Sequence, residues 1–222
     1  MTNPPRIALI HALAHSVAPI NASFARLWPD CRRMNLLDDS LAGDLARNPD
    51  GLDAAMTRRF LALGEYAIHA GAHGILFTCS AFGPCIDAVR RTWPQIAVLK
   101  PNDGMIDETV AVARAGGRRI ALLATFAPTL VSMPPEFPGD ITVTPVHVPA
   151  AMDALDAQDL DRHDRLIAAA AGTVRGVDAI ALAQFSMARA VSMVAAATDL
   201  PVFSTPDSAV RALRRRLDAG AT

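Results

Sequence analysis

The sequence has little of several residue types and patterns that would point to a common class of protein. Of its 222 residues only one is lysine, aromatic residues make up 5%, and the formal net charge is -1. Because positive and negative charges balance, no surface for nucleic acid or for an anionic membrane is expected. No apolar run approaches the roughly 20 residues that cross a bilayer, so no membrane-spanning helix is predicted either.

Cysteine is scarce, and its spacing predicts neither a disulfide framework nor a metal site. Cys31, Cys79 and Cys85 are odd in number, and the sequence contains no zinc-type pairing of cysteines and no HExxH motif. We therefore predict no bound metal, and we expect Cys31 and Cys85 to be buried, inert thiols. The opening MTNPPRIALI lacks the basic start, long apolar stretch and cleavage site of a signal peptide, so a reducing, cytoplasmic environment is expected.

Glycine-rich phosphate loops and a serine hydrolase motif are also missing. After the first apolar segment the chain reads HALAH, without the glycines that a pyrophosphate needs for close approach. Gly116 and Gly117 precede an apolar segment instead of following one, and no GxSxG pentapeptide occurs. These absences argue against a Rossmann dehydrogenase, a kinase and a serine hydrolase.

The sequence does contain a regular alternation of short apolar runs and helical stretches, which is typical of parallel sheets covered by helices. Pro206 suits the start of the last helix, and Asp159 or Asp161 could cap the helix before it. We predict an α/β fold with strands at 6–11, 31–36, 74–79, 96–99, 119–125, 141–147, 179–184 and 202–204. The clearest predicted helices cover 52–70, 106–115, 160–174 and 207–219.

An internal repeat divides the chain into two related halves. The segment RIALI at 6–10 returns as RIALL at 119–123, and GILFTCS at 74–80 aligns with AIALAQF at 179–185. The offset of the second pair also places Pro101 on Pro206 without a gap. The repeat predicts two similar lobes related by pseudo-two-fold symmetry, each a roughly four-stranded parallel sheet flanked by helices. We place the first lobe at 1–102 plus 206–222 and the second at 103–205.

The carboxyl ends of parallel strands are where such folds bind ligands. His11, Cys79, Thr125 and Gln184 are predicted to lie there, and the repeat predicts one cleft shared by both halves. Cys79 precedes a segment that we expect to turn into a helix, whose positive dipole end would favour the thiolate. The free amides of that turn could also hold a substrate carboxylate or an oxyanion. The alternative for Cys79 is a small buried cysteine that only packs.

For other polar residues, the sequence gives less evidence of a position in this cleft. His11 lies at a strand end and is a candidate for it, whereas His15 is expected to lie in a loop with a solvent or backbone partner. Asn21 either holds a polar group of the substrate or caps the helix that follows it. Lys100 is expected to form a surface ion pair, the alternative being attraction of an anionic substrate.

Three segments carry a resemblance to a known family. FTCSA at 77–81, LLAT at 122–125 and AQFSMA at 183–188 resemble the aspartate/glutamate/hydantoin racemase superfamily, and the resemblance extends over nearly the whole chain. It implies two lobes, no cofactor, a small carboxylate-bearing substrate and, as is common in the family, a homodimer. Family members place two cysteines, one per lobe, on opposite sides of a substrate α-carbon. Cys79 matches the first of these, and Gln184 stands where the second would be.

The resemblance also implies roles for neighbouring residues. Thr125 matches a threonine of the substrate-binding loop, and His11 falls where glutamate racemases carry an acidic residue. Amides after Cys79 and Thr125 would hold the carboxylate. The implied substrate-binding residues are His11, Asn21, Ser80, Ala81, Thr125, Phe126, Gln184 and Ser186.

The glutamine in place of a second cysteine restricts the chemistry that the resemblance implies. An amide forms hydrogen bonds but moves no protons near neutral pH, so a symmetrical two-thiol racemase is not expected. We expect a cofactor-independent isomerase or racemase-like enzyme acting on a carbon acid, with the single Cys79 as acid or base. An arylmalonate-decarboxylase-like lyase, a cysteine-nucleophile hydrolase or isomerase with His11 as its base, and a non-catalytic ligand-binding protein remain as alternatives.

Overall fold

The computed structural model describes residues 4–127 and 129–220, which divide into two units. The first unit contains the chain up to Asp103 and again from Ala209, and the second contains Gly104–Ser208. The elements that begin in the first unit are β1 (Arg6–His11), α1 (Val17–Leu27), β2 (Arg32–Leu37), α2 (Ser40–Arg47), α3 (Ala54–His69), β3 (Gly74–Phe77), α4 (Gly83–Thr92), β4 (Ala97–Leu99) and α5 (Asp103–Ala115). Those that begin in the second unit are β5 (Arg119–Ala124), α6 (Thr129–Ser132), β6 (Thr142–His147), α7 (Pro149–Asp156), α8 (Leu160–Gly172), β7 (Ala179–Leu182), α9 (Val191–Ala197), β8 (Val202–Ser204) and α10 (Thr205–Gly220).

Each unit is built on one parallel sheet, and the strand order is the same in both. The first sheet runs β2-β1-β3-β4 and the second β6-β5-β7-β8. Ile7 lies opposite Gly74 in the first sheet, and Ile120 lies opposite Ala179 in the second. The segments that repeat in the sequence therefore occupy the same places in their sheets. The predicted α/β fold with two four-stranded parallel sheets is confirmed.

The central and edge strands differ as their surroundings require. All four residues of β3 and of β7 are buried, because each strand has a neighbour on both sides and helices cover the sheets. The edge strands β2 and β6 instead mix polar and apolar residues and contain no fully buried residue. Charged and polar side chains on an edge strand discourage pairing with another chain.

Three aromatic side chains in mutual contact through Phe60 fix the segment that follows β3. The Phe60 ring, on α3, lies 5.3 Å from the Phe77 ring and 4.9 Å from the Phe82 ring, measured between ring centroids. All three side chains are buried. Since Phe77 ends β3 and Phe82 comes just before α4, this contact anchors both sides of the intervening residues.

The predicted strands at 74–79 and 179–184 are two residues too long. β3 ends at Phe77 and β7 at Leu182, which are the last residues that pair with the neighbouring strands β1 and β5. Helices α1, α2, α7 and α9 are missing from the clearest predictions; none exceeds 11 residues, which leaves little periodicity to recognise. Among the described residues, no helix combines the length and apolar character needed to cross a membrane.

Gly64 lets α3 approach α4 closely. A Cβ atom at this buried position would lie 2.9 Å from Val89 Cγ1 and 3.2 Å from Trp93 Cζ3. Overpacking in Gly64→Ala should cost about 1–3 kcal/mol of the free energy of unfolding, and the higher helix propensity of alanine should return about 1 kcal/mol. We therefore expect the variant to be less stable than the wild type. Urea unfolding of both proteins measures the difference.

Gly43→Ala is the matched control, since Gly43 also lies within a helix but a Cβ there would come no closer than 3.5 Å, to the flexible Arg47 side chain. We expect it to raise stability slightly. Equal gains from the two substitutions would contradict the close approach of α3 and α4.

Candidate functional site

Cys79 lies two residues beyond the end of β3, with an extended backbone. A single 3-10 turn, Ser80–Phe82, separates it from α4. Cys79 is half-buried and Ser80 and Ala81 are exposed, whereas Cys31 and Cys85 are buried as predicted. In the part of the chain that the structure describes, Cys79 is thus the one cysteine that a ligand can reach without rearrangement of the core.

The structure changes the expected ionisation of this thiol. Burial raises the pKa of Cys79 above its ordinary value of 9.0, and a hydrogen bond from the backbone amide of Ala81 offsets only part of that increase. The resting side chain is therefore the neutral thiol, and the expectation of a favoured thiolate is wrong. The physical reason is that burial disfavours the charged thiolate by more than the Ala81 amide stabilises it.

His11, at the end of β1, is completely buried and hydrogen-bonded on both ring nitrogens. Its Nδ1 atom lies 2.9 Å from Thr78 Oγ1 and 3.2 Å from Ser16 Oγ, and its Nε2 atom lies 3.0 Å from Asn35 Oδ1. Burial lowers the pKa of His11 below 6.5, and the hydrogen bond with Asn35 only partly opposes this. His11 is therefore neutral near pH 7.

Asn21 determines which ring nitrogen of His11 carries the proton. The Asn21 Nδ2 atom donates to the carbonyl of Val17 at 2.8 Å and to Asn35 Oδ1 at 2.8 Å. Asn35 must then turn the same oxygen toward His11, so His11 Nε2 donates and Nδ1 accepts a hydroxyl hydrogen. Asn21 lies within α1, so it does not cap that helix. Both predicted substrate-binding residues thus make their hydrogen bonds within this network.

The network also reaches the residue before the cysteine. Thr78 Oγ1 contacts His11 and lies 2.9 Å from Ser16 Oγ, which itself donates to the carbonyl of Leu13 at 2.8 Å. Sequence reasoning missed Ser16, Asn35 and Thr78. Of these three, only Thr78 could have been identified from the sequence, because it is adjacent to Cys79.

His11 is expected to make the stability of the protein depend on pH. Because its pKa in the folded state lies below 6.5, the unfolded chain binds this proton more readily. The free energy of unfolding should therefore fall as the pH drops through about 6.5, by at most about 1.4 kcal/mol per pH unit. Urea unfolding between about pH 7.5 and pH 5.5 measures the slope.

Two variants isolate the contribution of His11 to this slope. His11→Gln should remove most of the slope, whereas His15→Gln, which changes an exposed side chain in the 3-10 turn after β1, should leave it unchanged. An unchanged slope in His11→Gln would show that other groups cause it.

A small hollow in the first unit has Cys79 and His11 in its wall. Ile10, Ala12, Leu41, Phe60 and Phe77 complete the lining. The hollow is too narrow to admit a water molecule. Mostly apolar walls of this kind account for the raised pKa of the thiol.

In the second unit, Gln184 and Thr125 lie side by side just beyond β7 and β5. The Gln184 Oε1 atom accepts hydrogen bonds from Thr125 N at 2.6 Å, Thr125 Oγ1 at 3.0 Å and Phe126 N at 3.3 Å. Thr125 is buried, Gln184 is half-buried and the Phe126 side chain is 51% exposed. The Phe126 amide, which follows Thr125 and was predicted to hold a substrate carboxylate, therefore donates to a side chain of the protein itself.

The remaining candidates are placed as follows. Ser186 is half-buried in the 3-10 turn Phe185–Ala190, which follows Gln184. Lys100 Nζ pairs with Asp87 Oδ2 at 2.8 Å, which is the ion pair that the sequence predicts. Within 4–127 and 129–220, no group of three or more histidine, cysteine or acidic side chains is placed to hold a metal ion.

Known proteins are similar to this chain in fold rather than in sequence. No protein-family model matches it, and no curated protein is significantly similar. An aspartate racemase homologue from Pyrococcus horikoshii is 14% identical, with 96% of this chain and 99% of that chain covered and a TM-score of 0.72. An allantoin racemase from Klebsiella pneumoniae is 17% identical, with 97% and 89% covered and a TM-score of 0.68. An unliganded arylmalonate decarboxylase is 20% identical, with 98% and 94% covered and a TM-score of 0.62.

These similarities define the class of fold. The chain has the α/β fold of these solved structures, with two parallel four-stranded sheets, which is the fold that the sequence resemblance predicts. Solved structures with this fold include racemases and a decarboxylase.

Proposed function

We propose that the protein is a cofactor-independent enzyme that transfers a proton at the α-carbon of a small carboxylate substrate, with the Cys79 thiol as the acid. The observation that carries this proposal is the position of a reachable cysteine at the carboxyl end of β3, where parallel α/β folds bind ligands. Racemases and a decarboxylase share the fold, which supports chemistry of this class.

The neutral state of Cys79 sets the direction of proton transfer. Loss of carbon dioxide from the α-carbon, or of a proton from it to a water molecule, leaves an electron pair there, delocalised into the remaining carboxylate. The S–H bond of Cys79 then breaks as a C–H bond forms, and solvent returns a proton to the thiolate. The Ala81 amide, already bonded to the sulfur, would stabilise the transient thiolate, while the exposed Ser80 hydroxyl is placed to bind the substrate.

A decarboxylase-like lyase is the second candidate, and the raised pKa of Cys79 favours it. Decarboxylation needs only one proton delivered to one face of the carbanion, and a neutral thiol supplies it. Racemisation needs a second proton path, which His11 does not offer, because both of its ring nitrogens are hydrogen-bonded within the first unit. The same bonds disfavour a cysteine nucleophile with His11 as its base. Thr125, Phe126, Gln184 and Ser186 remain predicted substrate contacts.

Proton NMR in heavy water tests the proposal. The protein is incubated with amino acids, hydantoins, 2-substituted malonates and maleate. We expect one class to lose an α-proton signal or to yield a product deuterated at the α-carbon. This reaction should persist in a Cys31→Ala variant and be absent in Cys79→Ala. If no class reacts, the proposal is wrong and a non-catalytic ligand-binding role becomes the better account. If the Cys79→Ala variant reacts equally well, the proposed role of Cys79 is wrong.

A further inference from the structure

Gln184 fills a three-donor cradle formed by Thr125 and Phe126. Two backbone amides, at 2.6 and 3.3 Å, and one hydroxyl, at 3.0 Å, converge on the single atom Oε1. Continuing the β5–β7 register, in which Leu123 lies opposite Leu182, brings residue 125 beside residue 184. Such convergence of donors is the arrangement that proteins use to hold a carboxylate or oxyanion.

The cradle fixes the orientation of the Gln184 amide. A reversed amide would place the NH₂ group against two backbone N–H donors, which cannot accept hydrogen bonds. The oxygen therefore faces the cradle, and the Nε2 atom faces away from it. Among the described residues, no hydrogen bond from Nε2 occurs, and the half-buried side chain leaves this group without a competing partner.

We propose that Gln184 is a specificity-determining residue: the cradle locks its amide so that Nε2 presents two N–H donors to a carboxylate or carbonyl oxygen of the ligand. A free glutamine side chain loses rotamer freedom when it binds a ligand, and here that loss has already occurred in the folded protein. The locked amide selects hydrogen-bond acceptors and rejects groups that can only donate. The inference concerns binding alone, so it stands apart from the chemistry of Cys79.

The closest substitution in shape, Gln184→Glu, separates the two ends of the side chain. One carboxylate oxygen of the glutamate would accept the same three hydrogen bonds, strengthened by its charge. The second oxygen would replace Nε2 and present a negative charge in place of two donors. We therefore expect thermal stability to be unchanged or higher, and affinity for small carboxylates to fall at least about tenfold. Gln184→Met, which cannot fill the cradle, should lower both stability and affinity.

Acetate and malonate are suitable probes, followed by nitrogen-15 NMR of the side-chain amides. The Gln184 NH₂ signals, assigned by their absence in Gln184→Glu, should shift on titration of the wild-type protein. The control Ser192→Ala, which changes an exposed side chain on α9, retains Gln184 and its cradle and should preserve the response. The inference is overturned if neither probe moves these signals, or if Gln184→Glu binds the probes as tightly as the wild type. Because no turnover is measured, this result is independent of whether Cys79→Ala abolishes proton exchange.

Discussion

Replacing Cys79 with serine should lower turnover by about 10²- to 10⁴-fold while leaving the protein folded. This is the range that a general acid or base contributes to a reaction. Serine has nearly the same shape as cysteine, but its hydroxyl is a far weaker acid and transfers its proton poorly at neutral pH. Because Cys79 lies outside the strands and is not fully buried, the change removes little packing. Steady-state kinetics and thermal unfolding measure the two effects separately.

The pH dependence of turnover distinguishes an acid from a base at this position. Burial holds the pKa of Cys79 above 9.0, so a thiol acting as acid keeps its proton throughout the neutral range. Activity due to the thiol should stay level around neutral pH and fall only above about pH 9 as the proton is lost. A thiolate acting as base would instead give a rate that rises with pH over this range. A rate that rises with pH would show that Cys79 acts as a base. Full activity of the serine variant would show that Cys79 does not transfer the proton.

The second large effect is expected at Asp164, which pairs with two cationic or potentially cationic side chains in the second unit. Its Oδ1 atom accepts from His163 Nδ1 at 2.8 Å, and its Oδ2 atom accepts from Arg189 Nε at 2.7 Å. Asp164 and His163 are both buried, and His163 Nε2 has no hydrogen-bond partner among the described residues. Asp164→Ala would therefore leave the buried His163 ring without a hydrogen-bond partner on either nitrogen among the described residues.

Leaving a buried hydrogen-bonding group without its partner costs about 1–3 kcal/mol, because that group stays desolvated, whereas the 41% exposed Arg189 can be solvated by water. We expect Asp164→Ala to lower the free energy of unfolding by this amount in urea unfolding experiments. Asp161 offers a matched control on the same helix: its side chain is 84% exposed and lies 3.9 Å from Arg189 Nη2. Asp161→Ala should have no measurable effect. Similar small effects of both changes would mean that water or a rearranged side chain replaces Asp164.

The ion pair between Asp164 and Arg189 also stabilises the turn next to Gln184 in the second unit. Arg189 belongs to the 3-10 turn that begins directly after Gln184. Its bond to Asp164 ties this turn to α8, so the turn cannot move freely away from the helix. The contact helps to explain how Gln184 is held at its place beside Thr125.

Much of the fold could be predicted from the sequence, because apolar runs and their repetition are local properties of the chain. The strands β1 and β8 match their predicted bounds, and the repeat of RIALI as RIALL predicts two sheets of the same kind. The extra length predicted for β3 and β7 shows the limit of this reasoning. A run of apolar residues continues as a strand only as far as a neighbouring strand supplies hydrogen-bond partners, and that length depends on distant residues.

The candidate site shows the same division. The sequence by itself places Cys79 and Gln184 just after buried parallel strands, since strand alternation and the repeat are enough to locate the ligand-binding ends. Only the tertiary structure brings Asn35 onto the same face of the sheet as His11: Asn35 lies opposite Leu9 in the β1–β2 register, and side chains two positions apart share a face. It likewise decided that the Cys79 thiol is neutral and that Thr125 holds Gln184, because burial and hydrogen bonds between distant segments exist only once the chain is folded.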